Sequence, residues 1–312
     1  MELVRGLQNI SRPTQGCVLT VGNYDGVHLG HQQMIGVLKV RAADLGVAAT
    51  VLVFEPSSKE FIDPDDAPPR LTRWREKFLA LRAQGVERLV TLRFDERMRA
   101  MTPRCFVEDL IVGKLGARHM VVGDDFRYGS NADGTIDTLR IAGLEHGFGV
   151  EQIAPFVFDG VRVSSTIVRE RLERGDFAGA ARLLGRPYSM MGHVVHGREL
   201  GRTLGFPTAN LRLMRRRPPL WGILAVRIHG IGAGPLPGVA SLGTRPTVHG
   251  VEPLLEAHVF DFSGDLYGRA IEVEFVAKLR DEVKFDSLDA MRVQMKVDAA
   301  RARDLLSKVN SG

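Results

Sequence analysis

Two histidines three positions apart, His28 and His31, follow a short apolar run at 17–22 and a glycine-rich segment, GNYDG. Apolar residues at helical spacing resume near Leu29, so both histidines stand where a strand-to-helix connection ends. Residues three apart lie on one side of a helical turn, and a helix N-terminus offers free N–H groups to a phosphate. We therefore predict that His28 and His31 are catalytic and donate hydrogen bonds to phosphoryl oxygens as charge builds up during a displacement at phosphorus.

The loop around the histidines and a later segment complete this predicted phosphate site. We assign nucleotide and phosphate binding in the loop to Gly22, Asn23, Asp25 and Gly30. In SSTIVR a hydroxyl can cap a helix, and an arginine one turn later adds positive charge on the same side. By itself this segment is typical of a capped surface helix. Together with the histidines it predicts a second phosphate clamp opposite them, made of Ser164, Ser165, Thr166 and Arg169.

A second glycine-spaced segment, GHVVHGRELGRTLGFPTANL, occupies 192–211. Thr208 and Asn210 alternate along its extended end, so their oxygens face the same way. A hydroxyl and an amide oxygen are hard ligands that suit a Mg²⁺ ion retaining waters and phosphate oxygens. We predict that Thr208 and Asn210 hold Mg²⁺. The nucleotide-binding residues of the loop before them are Gly201, Arg202 and Gly205.

Glu256 is the candidate general base of this second site. In LLEAHVF it shares a strand face with Leu254, His258 and Phe260. A carboxylate on a largely apolar face is costly, and such surroundings raise its pKa toward the range of a working base. A glutamate at a strand end in solvent stays open as the alternative. His258 is equally typical of a hydrogen-bonded core histidine, and we assign it no role.

The elements that must position these residues change in rhythm along the chain. Strands at 17–22, 47–54, 86–94 and 118–123 alternate with helices at 29–45, 72–85, 105–116 and 136–146. This alternation predicts a parallel sheet covered by helices. Beyond about residue 186, five or six strand-like runs precede an amphipathic helix at 287–307, which predicts a small antiparallel barrel with a closing helix. We expect an α/β Rossmann-like domain at 1–186 and the β-barrel domain at 187–312.

Composition narrows the class of protein. The 312 residues are 44% hydrophobic and 25% charged, with a formal net charge of +5. No apolar run approaches the roughly 20 residues that span a bilayer, and the N-terminus lacks a secretory pattern. The positive charge forms no long basic tract, and nucleic acid and small phosphorylated ligands would satisfy it equally well, so charge alone does not decide between them. Together with the motifs above, we expect small phosphorylated ligands and no nucleic acid or membrane partner. Cys17 and Cys105 lack metal or CxxC spacing, so we expect buried, unbridged thiols and a cytoplasmic location. The oligomeric state stays open.

The first-half motifs resemble those of a known family. GNYDGVHLGH resembles the first signature of bacterial FMN adenylyltransferases, which usually have Phe where this chain has Tyr24. VVGDDFRYG and VSSTIVRERLERGDFAGAARLLGRPY match two further segments of that family. The resemblance implies that Asp125 and Phe126, in the former segment, contact flavin.

The second-half motifs resemble those of riboflavin kinases. PTAN, ASLGTRPTV and LEAHVFDFSGDLYGRAIEVEF follow that pattern, although many members have Asn at the position of Ser241 and an aromatic at Leu224. The resemblance implies that Thr208 and Asn210 bind Mg–ATP and that Glu256 accepts the proton of the ribityl 5′-hydroxyl. The matching C-terminal segment adds Arg280 as a flavin or nucleotide contact.

Taken together, nearly the whole chain resembles the bacterial bifunctional riboflavin kinase/FAD synthetase family. The resemblance implies a C-terminal domain that converts ATP and riboflavin to FMN and ADP. It implies an N-terminal domain that converts ATP and FMN to FAD and pyrophosphate. ATP is then a co-substrate of both reactions, Mg²⁺ is the cofactor, and riboflavin, FMN and FAD are the ligands.

Three other functions stay open. In the first, the second half is a riboflavin kinase and the first half transfers AMP to an acceptor other than FMN. In the second, the basic chain binds RNA. In the third, both halves are inactive and the chain is a flavin-binding regulator. The RNA hypothesis predicts an anticodon-recognition region where the barrel pattern stands. The regulator hypothesis is disfavoured because His28, His31, Thr208, Asn210 and Glu256 are all present.

Overall fold

The computed structural model describes residues 1–10, 16–197, 201, 204–247 and 250–309. Two compact units are formed by Met1–Pro68 with Trp74–Ser164 and by Pro69–Arg73 with Ser165–Gly312. We describe each unit by itself. The domain boundary expected between residues 186 and 187 stays a prediction.

The first unit is an α/β layer structure. Its strands are β1 (Glu2–Arg5), β2 (Cys17–Val21), β3 (Ala48–Phe54), β4 (Arg88–Leu92), β5 (Ala117–Gly123), β6 (Gly149–Ile153), β7 (Val157–Phe158) and β8 (Val161–Arg162). Its helices are α1 (Leu29–Leu45), α2 (Ser58–Ile62), α3 (Trp74–Ala83), α4 (Glu96–Arg99), α5 (Pro103–Cys105), a π-helical stretch (Phe106–Lys114), α6 (Ile136–His146) and 3₁₀ turns (Leu7–Asn9, Ser130–Ala132). Among the described residues, six strands form a parallel sheet in the order β1-β4-β3-β2-β5-β6, and β7 pairs antiparallel with β8.

The predicted parallel sheet is therefore confirmed, with two strands more than expected. β2 and β3 are almost continuously buried, and so is the second half of β5, because helices cover both faces of the sheet. The strands missed by the prediction, β1 and β6, lie at the two edges, where more of their side chains are exposed or half-buried. Their mixed sequences, ELVR and GVEQI, carry a weaker strand signal than the buried runs.

Strand order also determines where a ligand site can form. The chain leaves β2 through α1 to β3 on one side, whereas β5, on the other side of β2, continues outward to β6. In such sheets ligands bind beyond the carboxyl ends of the strands at the point where the order reverses. This point lies between β2 and β5, and the histidine loop follows directly after β2.

The second unit is a barrel with helices. Its elements are α7 (Ser165–Glu173), α8 (Phe177–Leu184), β9 (Ser189–Val195), β10 (Ala209–Arg212), β11 (Gly222–His229), β12 (Leu236–Thr247), β13 (Gly250–Val259), β14 (Ala270–Arg280) and α9 (Leu288–Val309). In the described part of the chain, six antiparallel strands close in the order β10-β13-β12-β11-β14-β9. The predicted small antiparallel barrel with a closing helix is confirmed.

Alternation along the strands builds the barrel core. Leu211, Leu224, Leu242 and Leu255 are fully buried, and their strand neighbours face the other way. α9 packs its small and apolar residues Ala299, Ala302 and Leu306 against Phe260 and Leu279. The helix therefore covers part of the outer face of the barrel.

Two further expectations concern membranes and thiols. No helix in the described ranges is both long and apolar enough to cross a membrane. Both cysteines are free. Cys17 is buried on β2, and burial raises the pKa of its thiol to about 11. Cys105 is exposed on the short helix α5, so the expectation of a buried thiol is wrong for Cys105.

Candidate active sites of the two units

The histidine loop starts at the carboxyl end of β2 and ends at the N-cap of α1. His28 is the N-cap residue, and its Nδ1 accepts a hydrogen bond of 3.4 Å from the backbone N–H of His31. Since Nδ1 of His28 accepts, its proton resides on Nε2. The predicted helix start near His28 is confirmed, and the N-cap bond restrains the orientation of the His28 ring.

The two imidazole rings stack on each other. Their centroids lie 3.7 Å apart with planes inclined by 17°, which confirms that His28 and His31 lie on one side of the helix start. Desolvation, the nearby His28 ring and the charge of Lys77 hold the pKa of His31 well below its ordinary value of 6.5. Nδ1 of His31 is buried and has no hydrogen-bond partner among the described residues. A proton at Nδ1 would therefore be unsatisfied, so the neutral ring carries its proton on Nε2.

Tyr24 supports His31 from within the loop. The phenol ring is buried, with a centroid 4.8 Å from that of His31. Its hydroxyl lies 2.7 Å from the Thr20 hydroxyl, and the Met34 sulfur lies 3.2 Å from both oxygens. This chain therefore uses the hydroxyl of Tyr24, which a Phe would lack, to tie the loop to β2 and α1.

The backbone of the loop is strained. Tyr24 and Val27 have φ of 48° and 44°, a region that L residues other than Asn and Asp rarely adopt. Gly30 has a packing reason for lacking a side chain, because a Cβ there would lie 3.3 Å from two atoms of the His28 ring. Strain of this kind persists where the surrounding fold imposes it, and it clusters at functional sites.

The predicted flavin contacts follow β5, the neighbour of β2. Asp125 is exposed. Its side chain and the methyl group of Met34 both lie close to Gly123, the last residue of β5, because a Cβ on this glycine would be 3.4 Å from Oδ1 of Asp125. Phe126 is half-buried, stacks on Tyr128 at 5.8 Å and packs against the apolar core beneath the sheet. Asp125 therefore lies at the same sheet edge as the histidine loop, and both flavin assignments stay predictions.

Lys77 on α3 was missed by the sequence analysis. Its side chain is buried, with 5% exposed surface, and its charge acts on His31. The only sequence signal was a lysine among the apolar positions of TRWREKFLALRA, which is more often a solvated side chain. A buried cation beside the histidines adds positive potential to a phosphate site.

The predicted second clamp begins at the end of the first unit. Ser164 is the last residue of that unit, whereas Ser165, Thr166 and Arg169 belong to α7 of the second unit. Nε of Arg169 donates to the Pro69 carbonyl over 2.6 Å, so part of this guanidinium holds the 69–73 segment. The phosphate role of these four residues stays a prediction.

The kinase-like residues lie in one row across neighbouring strands of the barrel. Asn210 on β10 is paired with Glu256 on β13, and Glu256 is paired with Ser241 on β12. Residues directly opposite in antiparallel strands have Cβ atoms about 4.5–5.5 Å apart on the same face. Asn210 is buried and Glu256 is half-buried. Their neighbours along the strands, Leu211 and Leu255, are fully buried in the core of the barrel. Strand register therefore brings the predicted base and one predicted metal ligand together.

Glycines cover the predicted metal ligands. A Cβ on Gly197 would overlap the amide group of Asn210, and a Cβ on Gly201 would lie 3.2 Å from the Thr208 hydroxyl. Gly205 has a φ of 84°, which a glycine adopts without strain. The predicted contact Arg202 lies outside the described residues. Gly197 and Gly201 therefore lie close to Asn210 and Thr208, and the nucleotide and metal assignments stay predictions.

A cavity of about 550 Å³ adjoins Thr208. It is lined by Val194, 207–209, Ala257, Val259 and 262–267. His196 stacks on Tyr267, which lines this cavity, with ring centroids 3.7 Å apart. A volume of this size is in the range of small-molecule sites, roughly 300–1,000 Å³.

Two polar residues beside this row were missed or left without a role. Nδ1 of His258 lies 2.8 Å from the Pro207 carbonyl, the residue before Thr208. Ser241 donates to Glu282 over 2.8 Å, which brings a second carboxylate beside the strand pair of Glu256. The sequence offered no pairing signal for Glu282, because 41 residues separate it from Ser241.

Arg280 and Leu224 make contacts within the fold. Nε and Nη2 of Arg280 bind the largely buried Asp298 carboxylate at 2.7–3.1 Å, and Nη1 donates to the Asp281 carbonyl. This pairing attaches α9 to β14, and the predicted flavin contact of Arg280 stays a prediction. Leu224 is fully buried in the barrel, so the departure from an aromatic there concerns core packing.

The donor set at Thr208 and Asn210 suits a hard cation. Both side chains offer hard oxygen donors, which suit Mg²⁺ when phosphate oxygens and waters complete its shell. Within the described residues there is no group of three or more His, Cys, Asp or Glu side chains that could hold a metal.

Fold and sites define a two-unit phosphotransfer enzyme, with a nucleotidyltransferase-type α/β unit followed by a kinase-type barrel. The family model for FAD synthetase matches residues 10–167, and that for riboflavin kinase matches 184–306. Bifunctional riboflavin kinase/FMN adenylyltransferases from Escherichia coli K12 and Pseudomonas fluorescens are each 46% identical, covering 97% and 98% of both chains respectively. The Haemophilus influenzae relative is 42% identical over 97% of this chain and 98% of its own. The chain belongs to the bifunctional riboflavin kinase/FMN adenylyltransferase family.

A solved structure has the same fold over nearly its whole length. A Streptococcus pneumoniae protein named as a macrolide-efflux protein superposes with a TM-score of 0.79 at 30% identity, covering 96% of this chain and 97% of that one. Its name describes that protein alone. The match supports the arrangement of elements described above.

Proposed function

We propose that this chain phosphorylates riboflavin to FMN at the barrel and adenylylates FMN to FAD at the parallel sheet, through the residues assigned below. The observation that carries this proposal is the presence of two separate polar constellations on two different scaffolds. One is the stacked His28–His31 pair at the start of α1. The other is the cross-strand pair of Asn210 and Glu256.

In the kinase reaction, Glu256 accepts the proton of the ribityl 5′-hydroxyl as that oxygen attacks the γ-phosphorus of ATP, and ADP leaves. The half-buried position of Glu256 between Asn210 and Ser241 supports this role. Thr208 and Asn210 would hold Mg²⁺, which supplies positive charge to the phosphate oxygens when bound. The cavity beside Thr208 would take part of the nucleotide.

In the adenylyl transfer, a phosphate oxygen of FMN attacks the α-phosphorus of ATP, and pyrophosphate leaves. His28 and His31 donate Nε2–H hydrogen bonds to the oxygens on which charge accumulates. The N-terminal dipole of α1 and the charge of Lys77 add positive potential. Asp125 and Phe126, which follow the carboxyl end of β5, would contact the flavin of FMN. No covalent intermediate is required.

We place both reactions in the cytoplasm, because both consume ATP and both cysteines are unbridged. The substrates riboflavin, FMN and ATP are small molecules, which agrees with the modest positive charge of the chain. The oligomeric state stays open.

The test is to incubate the purified chain with riboflavin, ATP and Mg²⁺ and to separate the flavins by chromatography. We expect FMN to appear first and FAD to follow. Absence of FMN would refute the kinase proposal, and FMN without FAD would refute the adenylyltransferase proposal. Thr208→Val tests the metal assignment, because it removes the hydroxyl at nearly constant volume. It should abolish FMN formation and leave conversion of added FMN to FAD at the wild-type rate.

A further inference from the structure

His258 links β13, which bears Glu256, to the segment that directly precedes β10. It lies on β13, two positions after Glu256 and therefore on the same strand face. Its Nδ1 lies 2.8 Å from the carbonyl oxygen of Pro207, which directly precedes Thr208. A carbonyl oxygen only accepts, so Nδ1 of His258 carries the proton and donates it.

Two aromatic rings hold the imidazole in this orientation. Phe206 and Phe260 both contact it edge-to-face, at centroid distances of 5.2 and 5.7 Å and interplanar angles of 70°. Phe260 is itself anchored in the cluster beneath α9. The ring of His258 is therefore restrained by the barrel, and the Pro207 carbonyl is restrained by the ring.

The restrained segment bears the predicted metal ligand and a wall of the cavity. Residues 206–208 lie in no regular strand, since β10 begins at Ala209. Pro207, Thr208 and Ala209 all line the 550 Å³ cavity. A backbone carbonyl held by a donor on a rigid strand limits where the next side chain can point.

We propose that His258 is a positioning residue of the kinase site, which holds Thr208 in place for Mg–nucleotide binding through its hydrogen bond to Pro207. This inference rests on the proposed role of Thr208. It also gives a reason for an imidazole on the strand face of Glu256.

The experiment compares His258→Ala with His258→Asn in the full-length chain. Alanine removes the donor, and we expect the KM for Mg–ATP to rise about 10-fold, the lower end for residues that orient a metal ligand. The KM for riboflavin should stay within twofold of wild type. Asparagine places an amide N–H where Nδ1 stood, so it should restore most of the affinity. Wild-type KM for Mg–ATP in His258→Ala would overturn the proposal.

A second readout does not depend on turnover. Hydrogen–deuterium exchange of peptides covering 206–212 should become faster in His258→Ala without ligands and should return toward wild type in His258→Asn. Addition of Mg²⁺ and ADP should protect this segment in the wild-type chain and less in His258→Ala. Unchanged exchange in His258→Ala would contradict a restraining role.

His229→Ala is the matched control. His229 lies on β11 of the same barrel, with Nε2 2.9 Å from Glu274, and β11 pairs with neither β10 nor β13, the strands of Asn210 and Glu256. It should alter neither the KM for Mg–ATP nor exchange at 206–212, and an equal effect there would overturn the proposal. Thr208→Val distinguishes a failure of the metal assignment of Thr208 from a failure of the positioning role of His258. If Thr208→Val is fully active, the metal assignment fails. If it is inactive while His258→Ala behaves as wild type, only the positioning role fails.

Discussion

The two units place chemistry on their scaffolds in different ways. In the first, the catalytic candidates lie within one loop and the first turn of one helix, so that neighbours in sequence, His28 and His31, become a stacked pair. In the second, Asn210, Ser241 and Glu256 come from three strands and meet only through barrel register. A loop site depends on local backbone conformation, whereas a strand site depends on long-range pairing.

The two sites should therefore respond differently to amino-acid substitutions. The loop around Tyr24 and Val27 is held in a strained conformation by buried contacts, so small changes in those contacts should act on catalysis. The strand row is held by backbone pairing that side-chain changes leave in place. Substitutions in the row should therefore remove chemistry without moving the neighbours.

The largest effect is expected for Glu256→Gln. It keeps the shape and removes the proton acceptor, so FMN formation should fall by about 10²–10⁴-fold, the usual contribution of a general base. Conversion of added FMN to FAD should continue at the wild-type rate. Steady-state rates with riboflavin and with FMN test this directly, and riboflavin turnover within threefold of wild type would remove Glu256 from the mechanism.

His28→Ala should produce the reverse pattern. Loss of a hydrogen-bond donor to a charged transition state costs about 10²–10³-fold in turnover. FMN should accumulate because kinase activity is retained, and flavin chromatography measures the ratio. If kinase activity also disappears in a folded chain, the separation into two independent sites is wrong.

A smaller effect is expected for substitutions of Tyr24. Buried contacts of this residue support the loop that bears the histidines, whereas the residues of the strand site are held by backbone pairing. Tyr24→Leu removes the ring beside His31, and kcat for adenylyl transfer should fall roughly 10-fold, below the cost of losing a direct donor. Tyr24→Phe keeps the ring and loses the hydroxyl contacts, so we expect kcat within about threefold and a stability loss of about 1 kcal/mol.

Thr50→Val is the control for Tyr24. Thr50 is a fully buried residue of β3 that bonds the Ala48 carbonyl, so its loss affects the sheet without touching the histidine pair. It should lower the melting temperature and leave kcat unchanged. Equal kcat losses in Tyr24→Leu and Thr50→Val would assign Tyr24 a purely structural role.

The smallest effect concerns pH and stability. The folded chain holds the pKa of His31 well below 6.5, whereas the unfolded chain has the ordinary value. Above pH 6.5 both states are neutral at this ring. Below it only the unfolded state gains the proton, so the unfolding free energy falls as the pH drops below 6.5.

His31→Gln should remove this part of the pH dependence. Urea unfolding of both proteins at several pH values gives the two slopes, and the difference belongs to His31. His119, whose pKa desolvation also lowers, remains in both proteins and cancels. Identical slopes would mean that His31 is solvated in the folded chain.

Local signals in the sequence determined the class of each unit and most of its candidate residues. The buried parallel strands, the start of α1 at His28 and the alternation of the barrel strands are short-range patterns, because hydrophobic periodicity and helix capping act within a few residues. The edge strands β1 and β6 escaped prediction, since half-exposed edges carry mixed sequences.

Tertiary structure alone decided the partners that are distant in sequence. The pairing of Glu256 with Asn210, the bond from Ser241 to Glu282 and the contact of His258 with Pro207 all depend on strand register in the closed barrel. The neutral state of His31 likewise depends on burial beside Lys77. Residue types and local spacing can be read directly from the sequence. The register of the barrel strands and the desolvation of His31 arise only when remote segments pack together.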